Sequence, residues 1–432
     1  MKTKLLGAAI ALSLAAMPLA SFAEGGVGGG NANSNWTIYG WQNWSLEFVE
    51  ADVASIDPAD GGSRTQDFSR INNNAANIGF AASIDTGVSV GGQAVKANFQ
   101  CEQFTFHNRF NGFSDFCNRN SKISLSGVWG EVMFGQWLLP YNEMVAQWVD
   151  PFYDAGATSH TSIMGNIGNQ DGGNFFYNGS FGASDSFNRR QEEIIQWFSP
   201  NWNGFTARVA TTNAATTGNN TENQVTALGG AVEEVDPRIW SAGIAYTTDL
   251  GSGTNLWGAV TYQKHDEWRA VTDGCSDTDD DSYRIAGRMI HDFGGFGLTL
   301  SAMYETLEYD SEDCAGGGAL AGSGDLERDS WMVSGKLDFA GPLDFRFSYM
   351  DADDWDCGGG IACGLDGTDS GTDADAFNIG LFYTMPAGTE LRLTYSEVEN
   401  GDQSTYDYGI GGVGTVTGGD NEHIGLGIVQ WF

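Results

Sequence analysis

Apolar and polar residues alternate along most of the chain, in short segments that repeat between Asn35 and Phe432. Side chains of a β-strand point to opposite faces with a period of two, so each segment has one apolar and one polar face. The clearest apolar sets are Phe296, Leu298, Leu300 and Tyr304; Trp331, Val333, Leu337 and Phe339; Leu343, Phe345, Phe347 and Tyr349; Phe377, Ile379, Leu381 and Tyr383; and Leu391, Leu393 and Tyr395. The pattern predicts an all-β protein.

The apolar faces repeatedly end in aromatic residues, which favours a barrel in lipid over a soluble sandwich. These residues are Tyr246, Tyr262, Tyr304, Tyr349, Tyr383 and Tyr395. Aromatic girdles at the membrane interfaces are typical of transmembrane β-barrels. Because lipid offers no partners to the backbone groups of an open sheet edge, the sheet has to close. We therefore expect a closed antiparallel barrel whose last strand ends at Phe432.

Connections between the strands alternate between tight and long. Tight turns are expected near residues 85–87, 129–130, 201–203, 250–253, 294–295, 341–342 and 386–388, and long loops at roughly 50–66, 107–118, 139–189, 214–236, 269–281, 310–327, 355–373 and 400–420. Seven turns and eight loops join sixteen strands, with short periplasmic turns and long extracellular loops. The second strand is the least regular, because Asn72, Asn73 and Asn74 interrupt its alternation. Residues 24–432 are expected to form this single domain.

The N-terminus has the pattern of a secretory signal peptide. Lys2 and Lys4 precede an apolar run over residues 5–16, and small residues at 21–23 supply a cleavage pattern. The run is too short to span a bilayer as a helix, so we expect residues 1–23 to be removed on export. A buried N-terminal helix is the alternative.

The chain is strongly acidic, with 20 Lys+Arg against 56 Asp+Glu and a formal net charge of −36. Such a charge repels nucleic acid and bare anionic lipid, and it suits a surface that faces cations. Acidic runs at residues 277–281 and 351–356 are expected to be solvated loop charge. Adventitious Ca²⁺ binding is the alternative, although neither run has a complete calcium-loop signature. No other cofactor or metal is expected.

Six cysteines in an exported protein favour disulfides over free thiols. Sequence alone permits 15 connectivities for six cysteines. We favour the pairs whose members lie in segments on one side of the barrel, namely Cys101–Cys117, Cys275–Cys314 and Cys357–Cys363. Metal ligation is the rival interpretation, but neither a CxxC motif nor paired histidines accompany the cysteines.

Several segments resemble the general bacterial porins, in particular the proteobacterial branch of trimeric sixteen-stranded barrels. The resemblance rests on residues 36–40 (WTIYG), 94–100, 119–136 and 198–205, and on the terminal set Ile424, Leu426, Ile428 and Phe432. It implies residence in outer-membrane lipid, a homotrimer, and recognition of Phe432 by the barrel-assembly machinery. Gln136 departs from the family, where many relatives have an arginine, and so does Gln430. The six cysteines are unusual as well.

The resemblance also implies that the third loop, residues 139–189, folds into the barrel and narrows it. Its acids are Glu143, Asp150, Asp154, Asp171 and Asp185. Independently of the family, a connection of this length favours a functional loop. An ordinary surface loop with ordinary acids is the alternative.

Strand parity places nine cations on the inward face of the barrel. They are Lys96, Lys122, Arg190, Arg208, Arg284, Arg288, Lys336, Arg346 and Arg392. Charge on the lipid face is costly, which by itself explains their inward position. A further hypothesis is that some of them, with Lys96, Arg208, Arg346 and Arg392 as first candidates, face the loop acids across a narrow gap. Such a transverse field orders water and favours small polar solutes.

The function expected from these features is passive diffusion of ions and small hydrophilic solutes through a water-filled channel. The acidic mouth suggests a weak cation preference. The alternative is a sugar-specific channel. This alternative rests on the aromatic residues of the third loop, namely Trp148, Phe152, Tyr153, Phe175, Phe176 and Tyr177. An adhesive barrel with a plugged lumen is a further alternative. An enzyme is not expected, because none of the histidines has a triad context, namely His107, His160, His265, His291 and His423.

Overall fold

The computed structural model describes residues 27–31, 34–54, 63–105, 116–153, 159–165, 186–212, 224–228, 231–268, 277–312, 324–358, 370–386, 388–408 and 413–432. The strands are β1 Val27–Asn31, β2 Ser34–Ala54, β3 Ser63–Asn73, β4 Asn77–Val90, β5 Gln93–Phe104, β6 Ser121–Gly127, β7 Gly130–Leu138, β8 Arg190–Phe198, β9 Phe205–Thr212, β10 Gln224–Leu228, β11 Ala231–Val235, β12 Arg238–Gly251, β13 Thr254–Asp266, β14 Asp277–Asp292, β15 Gly297–Glu312, β16 Gly324–Asp338, β17 Leu343–Ala352, β18 Asp356–Cys357, β19 Ala374–Thr384, β20 Thr389–Asn400 and β21 Asn421–Trp431. Two short helices, α1 Pro140–Glu143 and α2 Ala146–Val149, follow β7. No described helix is long and apolar enough to cross a membrane.

The sheet closes into a sixteen-strand antiparallel barrel, as the alternation predicted. The first barrel strand, β2, pairs with the last, β21, from Trp41 opposite Trp431 to Ala51 opposite Asn421. Phe432 continues this seam, since its backbone N–H donates to the carbonyl of Gly40 at 3.0 Å and its carbonyl accepts the N–H of Gly40 at 3.0 Å. Closure leaves no unpaired edge in hydrocarbon.

The irregular second strand consists of β3 and β4, which lie end to end beside β2. β3 pairs with the loop-side half of β2 and β4 with its turn-side half. The break at residues 74–76 follows the asparagines that interrupt the alternation. A Cβ on Gly40 would lie 2.4 Å from the carbonyl oxygen of Asn77, so the backbones approach closely enough at this break to require glycine.

Alternation of exposure along the strands identifies the lipid-facing and lumen-facing sides. On β20, Leu391 and Leu393 are 40% and 46% exposed, whereas Glu390, Arg392 and Thr394 are buried. The apolar face therefore points outward and the polar face inward, which is the reverse of a soluble protein and is the arrangement of a barrel in lipid.

Four details differ from the sequence-based expectations. The acidic run at residues 277–281, expected to be solvated loop charge, begins strand β14, and Asp280 within it is fully buried. The first tight turn lies at Gly91 and Gly92, both with positive φ, rather than at residues 85–87, because β4 continues through a register shift between Asp85 and Ser89. The N-terminal strand β1, which pairs with β2, was not anticipated. Within the fourth long loop, β10 and β11 form a small hairpin of their own.

Inside the barrel, wall residues and loop residues form a hydrophobic core. Inward side chains of the wall pack against buried residues of the third loop and of the loop before β21. The wall contributes Met303, Met332, Met350, Ala376 and Val398, the third loop Met144, Val149, Ile163 and Met164, and the last loop Tyr406 and Tyr408. The third loop therefore lies inside the barrel, as predicted.

Candidate functional site

The third loop is anchored to the inner wall by hydrogen bonds from its first helix onward. The backbone N–H of Tyr141 donates to Ser241 Oγ at 3.0 Å, and its phenol donates to Glu305 Oε2 at 2.7 Å. Glu305 also accepts the backbone N–H of Gly165 at 2.6 Å, through Oε1. One buried wall carboxylate thus holds two separate parts of the loop.

Wall arginines bind the carbonyl groups of the same loop. Arg346 donates to the carbonyl of Pro151 at 3.2 Å, and Arg328 donates to that of Ile163 at 3.0 Å. Arg328 was not among the candidates, although it lies on the same inward face of β16 as Lys336. These arginines therefore position the loop, in addition to contributing positive charge inside the barrel.

Glu143 and Asp150 are the two candidate loop acids that lie within the described residues. Glu143 accepts hydrogen bonds from Arg208 Nη1 and from Trp137 Nε1, the latter at 3.0 Å. Asp150 Oδ2 lies 3.0 Å from His160 Nδ1 and accepts the backbone N–H of His160 at 2.8 Å. Burial lowers the pKa of His160, against the opposing effect of Asp150, so its imidazole is neutral at pH 7. The candidates Asp154, Asp171 and Asp185 lie outside the described residues.

A cavity of about 540 Å³ lies between this loop and the inner wall. We call it the lumen cavity. The charged residues that line it are Arg119, Arg208, Arg288, Lys336, Arg346 and Arg392 together with Glu102, Glu143, Asp150 and Asp338. Five of the nine predicted inward cations thus reach the cavity. Arg119, which sequence analysis missed because it lies just before β6, joins them.

Most of these cations are ion-paired. Arg392 lies 2.6 Å from Glu390, and Arg346 lies 2.7 Å from Asp344 and 3.1 Å from Glu390. Lys336 lies 2.6 Å from Asp338. Two further pairs are Arg119 with Glu102 and Arg208 with Glu143. Three of these six pairs join residues two apart on one strand, and Arg208–Glu143 joins the wall to the third loop. Cations and acids therefore meet in direct contact rather than across an open gap.

The other four predicted cations lie elsewhere. Lys122 is buried 2.5 Å from Glu131, Arg190 donates to Asn120 at 2.7 Å, and Arg284 lies 2.5 Å from Glu305. Lys96 is exposed near the turn that follows β4, opposite Asp85. Gln136 does not line the cavity either.

A family model described as Gram-negative porin matches residues 8–413. The chain belongs to the Gram-negative porin family. It is therefore located in the bacterial outer membrane and forms a channel there. A search of curated protein sequences finds no match.

Solved structures show the same fold. An anion-selective porin from Comamonas acidovorans has a TM-score of 0.64 and 21% identity, covering 92% of this chain and 100% of its own. OmpT of Vibrio cholerae has a TM-score of 0.53 and 11% identity, covering 93% and 99%. The channel DcaP of Acinetobacter baumannii has a TM-score of 0.51 and 12% identity, covering 93% and 99%. The family and the fold point to a channel rather than an enzyme.

The described loop aromatics of this porin each pack against another ring, and Trp148 and Tyr153 also line the lumen cavity. Trp148 stacks on Trp257 with centroids 5.5 Å apart, and Phe152 meets Phe382 at 5.9 Å. Tyr153 stacks on His160 at 5.7 Å. Phe175, Phe176 and Tyr177 lie outside the described residues. The described contacts are those of loop packing, and they do not favour the sugar-specific alternative.

One disulfide of the porin stands beside the lumen charges. Cys101 and Cys117 are bonded, with Cα atoms 4.9 Å apart, which confirms that prediction. Cys357 is also disulfide-bonded. Cys275, Cys314 and Cys363 lie outside the described residues, so the pairs Cys275–Cys314 and Cys357–Cys363 stay predictions.

Carboxylates follow the lipid-facing aromatics on the outer face, at the loop-side ends of the strands. We call them the carboxylate belt: Glu50, Asp67, Asp279, Asp281, Glu308, Asp310, Asp325, Glu327, Asp351, Asp375, Glu397, Glu399 and Glu422. Many stand directly opposite one another, as in the row Glu397, Glu422, Glu50 and Asp67. Among the described residues, no group of three or more His, Cys, Asp or Glu has the arrangement of a metal site.

Proposed function

We propose that this porin is a passive diffusion channel for ions and small hydrophilic solutes. The supporting observation is the lumen cavity, about 540 Å³ in volume and lined by ion-paired side chains. Closely spaced charges of both signs order water, which an apolar solute has to displace at a cost, whereas small polar solutes replace it. Because most of the lining charges are paired, we expect the channel to discriminate between solutes by their size and polarity rather than by the chemistry of one substrate.

Swelling of liposomes that contain the purified protein tests this proposal. Neutral sugars of increasing size are added outside, and the initial swelling rate is recorded. We expect monosaccharides to enter and the rate to fall steeply with solute size. Rapid entry of one sugar, with exclusion of others of equal size, would instead support the substrate-specific alternative.

The charges at the mouth of the channel and the charges in its lumen act differently on the ion preference. The expected weak cation preference has the acidic outer segments as its only support. Among the residues that line the lumen cavity, six cations face four acids, so the lining gives no advantage to cations. Exposed charges at the mouth act over roughly 8 Å at physiological salt, whereas charges in a narrow lumen are screened less. We therefore propose that the lumen, rather than the mouth, sets the selectivity.

We also propose that the wall from β6 to β9 is the subunit interface of a trimer. β6 has seven residues and β9 has eight, fewer than the roughly 9–11 that a tilted strand needs to cross a bilayer. β6, β7 and β9 also lack outward carboxylates, and β8 exposes Glu192 and Glu193 only at its loop-side start. The carboxylate belt, by contrast, continues over β14–β17, β19–β21, β2 and β3. A short apolar wall is better covered by another copy of the chain than by lipid.

An arginine on each wall tests the interface. Ile123 on β6 is 63% exposed and Ile285 on β14 is 51% exposed, both on the outer face. Ile123→Arg should abolish the oligomer on a non-denaturing gel, while the matched control Ile285→Arg should weaken membrane insertion and leave the oligomer formed. A monomeric native protein, or loss of the oligomer in the control alone, would contradict this assignment.

Export and assembly complete the proposal. Residues 1–23 would direct secretion, and Phe432 would present the closing strand to the barrel-assembly machinery. Deletion of Phe432 also removes its two backbone hydrogen bonds with Gly40. We expect the truncated chain to insert poorly, while the molecules that do insert conduct normally.

A further inference from the structure

One cation of the lumen cavity differs from all the others. We infer that Arg288 is a binding site for small oxyanions, carboxylates or phosphate, that pass through the channel. The inference rests on the proposed function, since it concerns a solute that crosses the lumen. Arg288 lies on the inner face of β14, between Trp257 on β13 and Ser301 on β15.

No carboxylate among the residues that the structure describes neutralises the charge of Arg288. The other five cations that line the cavity each have a carboxylate within 4.0 Å, as described above. No described carboxylate lies within that distance of Arg288. A buried or half-buried cation without a counter-charge is costly, and an anion that enters the cavity lowers that cost.

The guanidinium of Arg288 also has unused hydrogen-bond donors. Its single hydrogen bond to the described residues runs from Nη1 to the carbonyl of Trp148, at 3.4 Å. Nε is buried and also has no hydrogen-bond partner in the described part of the chain. A guanidinium carries five N–H donors in a planar fork whose geometry matches two oxygens of a carboxylate or phosphate. Chloride offers no such pair of oxygens, so oxyanions are the favoured class.

The surroundings hold this fork in place. Arg288 lies over the ring of Trp148, 4.4 Å from its centroid, and Trp148 stacks on Trp257 with an interplanar angle of 12°. A cation fixed on an aromatic stack loses little freedom when a ligand binds. Ser301 stands directly opposite Arg288 and lines the cavity, and its hydroxyl makes no hydrogen bond to the described residues. It supplies a further donor to the same ligand.

Block of chloride current by oxyanions tests the site in planar bilayers. Potassium acetate and potassium phosphate are titrated separately against a constant chloride concentration, so that the two arms distinguish a carboxylate site from a phosphate site. In Arg288→Gln, the concentration for half-block should rise by about tenfold or more, the loss expected for a charged hydrogen-bonded pair. Arg288→Lys should retain part of the block, since it keeps the charge without the fork.

Lys336→Gln is the matched control, because it removes one positive charge from the same cavity and spares Arg288. Equal weakening of the block in Lys336→Gln and Arg288→Gln would show that net charge alone acts, and would overturn the site. Absence of block in the native channel, or unchanged block in Arg288→Gln, would overturn it too. Sugar-driven swelling does not depend on Arg288, so it shows separately whether the diffusion channel itself has failed.

Discussion

Glu143, on the first helix of the inward-folded loop, accepts a hydrogen bond from Arg208 on strand β9. Its second oxygen accepts the indole N–H of Trp137 at 3.0 Å. The pair joins the loop directly to the wall and is mostly buried, with the side chains of Arg208 and Glu143 14% and 12% exposed. The loop is thereby attached at the point where it leaves β7.

Removal of the Glu143 charge should loosen the loop and leave Arg208 unpaired. We expect Glu143→Gln to lower the free energy of unfolding by about 1–3 kcal/mol and to shift the reversal potential in a KCl gradient toward anions. Arg208→Gln should shift it the opposite way. If the two residues act as a pair, the double variant will cost less stability than the sum of the single changes. Strict additivity would contradict direct coupling.

The disulfide between Cys101 and Cys117 should fix two lumen charges. Glu102 follows Cys101 and pairs with Arg119, two residues after Cys117, and both charges line the lumen cavity. Replacement of both cysteines by serine should cost about 3 kcal/mol for a closed loop of this length. It should also broaden the distribution of single-channel current amplitudes, because the two lumen charges are held less firmly. Reductant should reproduce the broadening in the native protein and add none to the Cys101→Ser/Cys117→Ser variant.

His160 should make the loop sensitive to acid. Its ring is fully buried, in contact with Asp150 and Asn142 and stacked on Tyr153. Asp150 favours the protonated ring, but burial outweighs it and the pKa of His160 is lowered. The released loop binds a proton more readily than the docked loop. Docking is therefore strongest above the ordinary histidine pKa of about 6.5 and weakens as the pH falls through it.

Closure events recorded between about pH 7.5 and pH 5 measure this effect. We expect them to become more frequent at acidic pH in the native channel and to lose most of that dependence in His160→Gln. His291, which lies beside the turn after β14 and contacts Thr254, offers a matched control. His291→Gln should keep the response. An unchanged response in His160→Gln would assign the acid effect to other groups.

The carboxylate belt should make stability depend on salt. Like charges directly opposite one another in a sheet are destabilising by a few tenths of a kcal/mol each, and salt screens exposed charges. Glu422 faces Glu397 and Glu50 on its two neighbouring strands. We expect Glu422→Gln to raise the unfolding temperature at low salt and to have little effect at high salt. Glu390→Gln should lower it, since Glu390 is ion-paired. A stabilising effect of Glu422→Gln that persists at high salt would point to a cause other than charge.

The barrel itself could be predicted from sequence because its physical rule is local. A period of two assigns every residue to one of two faces, and a lipid solvent makes the faces chemically distinct. The same rule identified the second strand as irregular at Asn72–Asn74, directly beside the break at residues 74–76. It misplaced the turn at Gly91 and Gly92, because the register shift within β4 depends on pairing that local alternation does not record.

Less of the candidate site could be predicted from the sequence. The alternation along a strand shows whether a side chain points inward or outward, but it shows neither its depth along the barrel axis nor its partner. Lys96 and Arg346 were equal candidates, yet only Arg346 lines the lumen cavity. Asp150 was one of the loop acids that the wall cations were proposed to face; it lines the lumen cavity, but its carboxylate accepts hydrogen bonds from its own loop. Arg288 was placed inward correctly, whereas its lack of an acidic partner is a property of the folded neighbours alone.

Single-channel conductance in planar bilayers tests the central claim, that the chain forms an open diffusion channel, most directly. The purified, folded protein is added to a bilayer in KCl and the current is recorded at constant voltage. An open channel gives discrete upward steps whose size rises in proportion to salt concentration. Folded protein that inserts without conductance steps would contradict the claim and would indicate a barrel whose lumen is plugged.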